Sequence, residues 1–395
     1  MGAPCSRQAA AATPPGAGAA TADTASTAGT AGTAGTGWEP ALLRRHPALR
    51  ALPRARFVNA PTPVEPLALP GAPAGACFVK RDDRSCPLYG GNKPRKLEFL
   101  LGAALARRTR RLVTTGGIGT NHGLATTILG RSLGLATTVV CVPQPPSEHV
   151  RRQLADLLAF GAEIRFARSV PGAAARVSWA LARSRAAGER PLLIPAGGSS
   201  ALGDVGYVSA AFELAEQVAA GVLPAPAEIY APLGTGGTVS GLALGLALAG
   251  LPTRVVGVLV TDILPPGARR VRALARASLA RLRRLDPSLP EVRLDAGSFE
   301  ITRAQLGAGY GSPTEAGRAA AAIARDAGLA LETTYTAKCL AELIDRLRDG
   351  RLRAPALFWN TYNSVDYRAH APADAARHEL PAALRAWLAR TEAAG

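Results

Sequence analysis

The sequence has few cysteines and no long apolar run. Its five cysteines are odd in number, spread along the 395 residues and never in CxxC spacing. This argues against a disulfide-stabilised scaffold and against a cysteine-rich zinc site, and it favours a reducing, cytoplasmic location. No uninterrupted apolar stretch reaches the roughly 18 residues of a spanning helix, so we expect no membrane partner.

Lysine is also scarce, although the chain is strongly basic. The formal net charge is +17, and 42 of the 46 basic residues are arginines. The arginines are scattered along predicted helices, which is typical of solvated helix faces. We therefore expect no specific nucleic-acid partner, with polyanion binding as the alternative. Three of the four lysines (Lys80, Lys93 and Lys96) fall within one short segment.

The chain divides into a low-complexity tail and a globular part. Of residues 1–37, 32 are Ala, Gly, Thr, Pro or Ser, which predicts a disordered tail. Beyond residue 95, strand-like and helical segments alternate, which indicates an α/β fold with parallel sheets flanked by helices. The predicted strands are 111–115, 137–142, 163–166, 192–194, 228–231, 254–260 and 356–359.

The first motif whose residues could take part in catalysis contains Lys93. Gly90 and Gly91 allow a tight turn, and Pro94 disfavours helical geometry at the residue before it. We therefore predict that Lys93 lies on a turn before a helix that begins near Lys96. A lysine amine can form a Schiff base, whereas a guanidinium stays protonated.

Two glycine-rich turns follow predicted strands and open helices. Residues 114–122 can hold an anion such as a carboxylate, although a plain turn with Thr120 as the helix N-cap fits equally well. Residues 231–241 place small residues at a helix N-terminus, which is typical of a phosphate site. A reactive lysine, a phosphate site and an anion-binding turn together predict pyridoxal 5′-phosphate as the cofactor.

The chain resembles the 1-aminocyclopropane-1-carboxylate deaminase / D-cysteine desulfhydrase family of pyridoxal-phosphate enzymes, which has the tryptophan-synthase-β fold (fold type II). The resemblance extends from about residue 60 to 365, and its most specific part is the run from Gly90 to Glu98. The supporting motifs are 115–117 with Asn121-His122, 194–200 through Gly206-Tyr207, 234–238, 309–314 and 335–338.

The resemblance implies a role for each matching residue. Lys93 would hold the cofactor covalently and exchange the α-proton, and Asn121 would contact the 3′ oxygen of the pyridine ring. The phosphate would be bound by Gly234, Thr235, Gly236, Gly237 and Thr238. Thr120 would lie near the substrate carboxylate, Tyr310 and Tyr335 would line the substrate side, and Thr336 and Thr361 would lie near the cofactor ring.

Three positions indicate which branch of the family the chain resembles. Ring-opening deaminases of the family are expected to carry Glu, Leu and Gln where this sequence has Thr336, Thr361 and His122. Two neutral hydroxyls near the ring nitrogen favour elimination over ring opening. We therefore predict α,β-elimination of a β-substituted amino acid, with D-cysteine giving pyruvate, ammonia and sulfide.

Departures from the family pattern affect the predicted substrate. Gly119-Thr120 stands where the family has Gln-Ser, and residues 360–363 replace His-Thr-Gly-Gly. The alternatives are 1-aminocyclopropane-1-carboxylate deaminase, cysteate sulfo-lyase or a related amino-acid deaminase, and a non-enzymatic basic binding protein.

The expected organisation is that of a two-domain enzyme. Residues 38–95 and 196–395 would form a large cofactor-binding domain, and residues 96–195 a small α/β domain. We expect a small amino-acid substrate and a homodimer. The histidines show no metal-ligand spacing, so we expect no metal.

Overall fold

The computed structural model describes residues 1–2, 39–145, 147–373 and 378–393. Apart from its first two residues, the predicted tail lies outside these ranges. The described residues form ten strands and eleven α-helices. The strands are β1 Val64–Pro66, β2 Cys77–Lys80, β3 Arg111–Gly117, β4 Ala136–Val142, β5 Glu163–Phe166, β6 Leu192–Leu193, β7 Glu228–Leu233, β8 Arg254–Leu259, β9 Phe299–Thr302 and β10 Ala356–Trp359.

The helices separate most of these strands along the chain. They are α1 Ala41–Arg45, α2 Asn92–Ala106, α3 Asn121–Arg131, α4 Glu148–Ala159, α5 Val170–Ala186, α6 Val205–Ala219, α7 Gly237–Ala249, α8 Ala268–Arg283, α9 Glu315–Asp326, α10 Thr336–Arg348 and α11 Ala382–Ala393. Among the described residues, none of the helices combines the length and apolarity needed to cross a membrane.

The strands form two sheets that are almost entirely parallel. The larger sheet has the order β1-β2-β10-β7-β8-β9, in which β1 runs antiparallel to β2 and the other pairs are parallel. The smaller sheet, β5-β4-β3-β6, is parallel throughout. The predicted α/β architecture is confirmed. The smaller sheet falls within residues 96–195, while the domain boundaries stay a prediction.

Apolar strands and helix faces explain the core of the larger sheet. All six residues of β7 are buried, as expected of a parallel strand covered on both faces. Val208 and Phe212 of α6 and Leu242 and Leu246 of α7 belong to the same buried cluster as Ile229 of β7. This packing fixes the end of β7 and the start of α7, between which the predicted phosphate loop lies.

Helix α2 begins earlier than predicted. It starts at Asn92, so Lys93 is its second residue and does not lie on a preceding turn. Pro94 fits at the third position because the first N–H groups of a helix have no intrahelical acceptor to lose. Gly91 precedes the helix with φ of 85°, and a β-carbon built there would lie 2.6 Å from the carbonyl oxygen of Thr361.

A buried ionic cluster anchors α2 two residues after Lys93. The Arg95 guanidinium donates to Asp82 Oδ1 at 2.7 Å and to Glu213 Oε2 at 2.9 Å. Lys80 donates to the other oxygen of Glu213 at 2.6 Å, and all four side chains are buried. Because this cluster joins α2 to β2, α6 and the turn after β2, it fixes the position of the helix that carries Lys93.

Candidate active site

The predicted site residues meet in one cavity of about 930 Å³. The carboxyl ends of β3, β7 and β10 lead into it, as expected for a ligand site in an α/β fold. Its lining contains Lys93, Thr120, Asn121, Gly234, Thr235, Gly236, Gly237, Thr238, Tyr310, Tyr335, Thr336 and Thr361. The structure therefore brings together every residue of the predicted site, and their individual roles stay predictions.

Lys93 is half-buried in the wall of this cavity. Its Nζ donates to Asn92 Oδ1 at 2.6 Å. Burial and, to a smaller extent, the nearby Lys96 cation lower the pKa of Lys93, and Glu332 acts in the opposite direction, so that the pKa is about 7. The amine is therefore substantially neutral near physiological pH, which is the form that attacks an aldehyde.

The phosphate loop, Gly234–Thr238, lies between β7 and α7. Gly236 has φ of 96°, a left-handed conformation that favours glycine. A β-carbon built at Gly237 would overlap Asp204 and Ser199. The loop and the start of α7 therefore require small residues, which leave room for an anion beside the helix N-terminus. Asn92 Nδ2 donates to Thr238 Oγ1 at 3.3 Å, which places the loop beside the start of α2.

Two residues next to this loop were not assigned a role from the sequence. The Lys96 ammonium donates to Ser199 Oγ at 3.1 Å, and the Gly237 amide donates to the same oxygen at 3.2 Å. Lys96 therefore adds a cation beneath the loop, which favours a phosphate. The sequence signal for this role of Lys96 was its position three residues after Lys93, which places the two lysines on the same face of a helix. Burial also raises the pKa of the adjacent Asp204 to about 6.

The turn before α3 presents Thr120 and Asn121 to the cavity. Thr120 is the N-cap of α3, because its Oγ1 accepts from the Gly123 amide at 3.1 Å. The Asn121 side-chain oxygen accepts from Gln153 Nε2 at 3.0 Å, which leaves its amide nitrogen for another partner. The N-cap and anion-site interpretations of this turn are therefore compatible, since Thr120 both caps the helix and lines the cavity.

Tyr310 and Tyr335 form a hydrogen-bonded pair in the cavity. The Tyr335 hydroxyl donates to the Tyr310 hydroxyl at 2.7 Å, and the two rings pack edge to face. Burial raises the pKa of both phenols, so both keep their protons at neutral pH. The pair can thus supply a hydroxyl donor or exchange a proton with a bound molecule.

A carboxylate that the sequence analysis did not include lies at the start of α10. Glu332 lines the cavity and accepts the amides of Thr334, Tyr335 and Thr336 at 2.7, 2.8 and 2.9 Å. The Thr336 hydroxyl lies 3.3 Å from the Glu332 carboxylate. One of the two predicted hydroxyls, that of Thr336, thus lies beside a carboxylate. The sequence did contain a signal for this role: a Glu four residues before Thr336, just ahead of a helix, is placed to accept the first amides of that helix.

The donors in this cavity fit pyridoxal 5′-phosphate. The phosphate loop and Lys96 can hold its phosphate, Lys93 can join its aldehyde, and Thr336 and Asn121 offer polar contacts to its ring. Bound there, the cofactor supplies an electron-withdrawing ring that stabilises negative charge on the α-carbon of an amino acid. Within the described residues, no group of three or more His, Cys, Asp or Glu side chains could hold a metal ion.

The fold and the cavity together define a pyridoxal-phosphate-dependent enzyme of fold type II. Residues 56–360 match the family described as "Pyridoxal-phosphate dependent enzyme", and the chain belongs to that family. Its cofactor is pyridoxal 5′-phosphate, and it is an enzyme of the 1-aminocyclopropane-1-carboxylate deaminase / D-cysteine desulfhydrase type.

Two curated relatives cover most of the chain. The nocardicin C-9′ epimerase of Nocardia uniformis subsp. tsuyamanensis is 36% identical over 324 residues, covering 79% of this chain and 93% of the relative. A D-cysteine desulfhydrase of Klebsiella pneumoniae is 33% identical over 322 residues, covering 79% and 94%.

Solved structures show the same fold. A homologue of 1-aminocyclopropane-1-carboxylate (ACC) deaminase superposes with a TM-score of 0.68 at 26% identity, covering 85% of this chain and 99% of the other. Threonine deaminase isoform 2 from Solanum lycopersicum superposes with a TM-score of 0.55 at 13% identity, covering 90% and 89%, which shows the fold alone.

Proposed function

We propose that the enzyme is a D-cysteine desulfhydrase-like lyase that eliminates the β-substituent of a small amino acid. In this reaction the Cα–H bond breaks and the proton passes to Lys93 Nζ. The Cβ–S bond then breaks with its electron pair going to sulfur, which leaves as sulfide. Water completes the conversion, so that cysteine and water give pyruvate, ammonia and hydrogen sulfide.

The observation that carries this proposal is the presence of Lys93 and the Tyr310–Tyr335 pair in one cavity. Lys93 has a pKa of about 7, which suits a group that takes up and returns a proton near neutral pH. The tyrosine pair keeps its protons and can donate to a substrate or a leaving group. Similarity to D-cysteine desulfhydrases further supports elimination. The two neutral hydroxyls of Thr336 and Thr361 do not add to this support, because the Glu332 carboxylate lies beside Thr336.

A second candidate is epimerisation at the α-carbon, which the 36% identity to an epimerase favours. This reaction removes a proton from one face of the α-carbon and returns one to the other face. Lys93 and Tyr335 are the candidate proton carriers. Because no bond to the β-carbon breaks, epimerisation releases neither ammonia nor keto acid.

The test is a substrate panel with three readouts. The purified enzyme receives D- and L-cysteine, β-chloroalanine, serine, cysteate and 1-aminocyclopropane-1-carboxylate, and ammonia, keto acid and α-proton exchange in D₂O are measured. Equal amounts of pyruvate and sulfide from D-cysteine support the proposal. Sulfite from cysteate or 2-oxobutanoate from the cyclopropane would identify the alternative activities instead, and exchange without ammonia would identify an epimerase. Lys93→Ala serves as the inactive control.

We also propose that the enzyme acts in the cytoplasm, which its cysteine usage favours, and that it is a homodimer. Light scattering of the purified full chain measures the assembly, and a monomeric mass would contradict the dimer.

A further inference from the structure

The outer end of the Lys93 cavity is apolar. Four large aliphatic side chains line it and remain open to solvent, and we call them the apolar rim. They are Val170, Leu193, Ile263 and Leu264, with relative exposures of 43%, 43%, 41% and 75%. Large aliphatic side chains gathered at the mouth of a ligand cavity indicate a binding surface, whereas single exposed ones need no explanation.

The rim has two sides that face the cavity mouth. Val170 begins α5 and Leu193 ends β6, next to the small sheet, while Ile263 and Leu264 belong to the loop between β8 and α8. Pro265 and Pro266 extend the second side, and the buried Val177 continues the first side along α5. The apolar surface is therefore continuous with the cavity wall.

The loop that carries Leu264 is held in a constrained position. Leu264 has φ of 50°, in the left-handed region that non-glycine residues rarely adopt. The Ile263 amide donates to Thr261 Oγ1 at 3.1 Å, and Asp262 Oδ1 accepts the Tyr310 amide at 2.9 Å. The loop is thus fastened to the residue that lines the substrate side. Unfavourable backbone held this way at a site is typical of a functional constraint.

Cysteine makes no use of this outer region. Its β-substituent is a thiol, whereas the cavity extends beyond the residues assigned to the cofactor as far as the four side chains of the apolar rim. The polar groups Lys93, Thr120 and Glu332 line the same cavity as the rim. An amino acid anchored by the inner groups would direct a long β-substituent toward the mouth.

We propose, building on the lyase function above, that the natural substrate is a cysteine whose sulfur carries a bulky apolar group. In the reaction the Cβ–S bond breaks, sulfur keeps the electron pair, and the product thiol takes up a proton. Water then yields pyruvate and ammonia as before. The apolar rim binds the substituent, because removing its surface from water stabilises the complex.

The test compares two S-substituted substrates that differ in apolar surface. S-benzyl-cysteine and S-methyl-cysteine are supplied as separate enantiomers to the holoenzyme. Release of thiol and pyruvate gives kcat/KM, and the change in cofactor absorbance on mixing gives the dissociation constant. We expect kcat/KM to be at least about tenfold higher for the benzyl substrate, the lower end of what one buried methylene group contributes.

Variants of the rim make the test specific. Leu264→Ser should lower the benzyl-to-methyl ratio at least about fivefold, less than the roughly tenfold of one fully enclosed methylene group, because Leu264 is one of four rim side chains and is largely exposed. Val222→Ser is the matched control, since Val222 is 50% exposed, follows α6 and is not part of the cavity lining. Thermal unfolding of each variant verifies that it folds.

The outcomes separate this inference from the proposed function. Pyruvate from cysteine with no benzyl preference, or a preference that Leu264→Ser leaves unchanged, overturns the inference and leaves the lyase function standing. Binding that prefers the benzyl substrate and depends on Leu264, but that gives no pyruvate, supports binding of the apolar substituent by the rim and overturns the lyase function. A change of oligomeric mass in Leu264→Ser would show that a second copy covers the rim, which also overturns the inference.

Discussion

The lowered pKa of Lys93 gives a prediction about how the apoenzyme takes up its cofactor. An ordinary lysine has a pKa of 10.5, whereas burial and the Lys96 cation lower that of Lys93 to about 7. At pH 7.5, about three quarters of the Lys93 amines are neutral, compared with about one in a thousand for an ordinary lysine. The direction follows from the charge: because the pKa is lowered, the reactive neutral form is lost only as the pH falls through 7.

The perturbation is Lys96→Met, which removes the neighbouring cation. We expect the pH midpoint for attachment to Lys93 to rise above 7 and to stay below 10.5, since burial, the larger cause, remains. The probe is pyridoxal without its phosphate, so that loss of the Lys96 contact near the phosphate loop does not affect the result. Attachment is followed by visible absorbance after rapid mixing with apoenzyme at a series of pH values.

The matched control is Arg269→Gln, which removes one positive charge from an exposed position outside the cavity lining. Its midpoint should equal that of the unmodified chain. A midpoint near 10 in the unmodified chain would refute the reasoning, and so would a midpoint in Lys96→Met that equals the unmodified value.

Four further predictions test the site and its support. Gly237→Ala should weaken cofactor affinity at least about tenfold, since its methyl group would overlap Asp204 and Ser199 and displace the phosphate loop. An unchanged dissociation constant would contradict the assignment of this loop to the phosphate. Arg95→Met should lower the free energy of unfolding in urea by about 3–5 kcal/mol, because it leaves the buried Asp82 carboxylate without its cationic partner while Glu213 keeps Lys80, and a loss below about 1 kcal/mol would be inconsistent with that cluster. Burial raises the pKa of Glu213, but its cationic partners outweigh this and lower the pKa to about 2. The stabilisation of the fold by the ionised Glu213 is therefore fully present above pH 4.5 and should be lost as the pH falls toward 2. Acid titration followed by circular dichroism measures this loss. Tyr335→Phe should lower kcat about 10²–10⁴-fold if this hydroxyl transfers a proton, and a change confined to KM would argue for a binding role.

The fold class was predictable because it depends on local patterns. The strands Glu163–Phe166 and Ala356–Trp359 have the predicted bounds, since β-branched and aromatic residues bounded by turn signals are read from neighbouring positions. The start of α2 was predicted wrongly because Pro94 was interpreted as a helix boundary. In the structure Pro94 occupies the first turn, where its missing N–H costs no hydrogen bond.

The sequence by itself determined the chemistry that two short segments can carry: a reactive amine at Lys93 in a chain whose basic residues are mostly arginines, and the small residues of the phosphate loop. Only the tertiary structure decided that Glu332 and Lys96 add charge to the same cavity, and that Leu264 and Val170 both line it. The reason is physical. A glycine turn or a reactive side chain is a property of adjacent residues, whereas the pKa of an amine and the shape of a cavity depend on groups that folding brings together from distant parts of the chain.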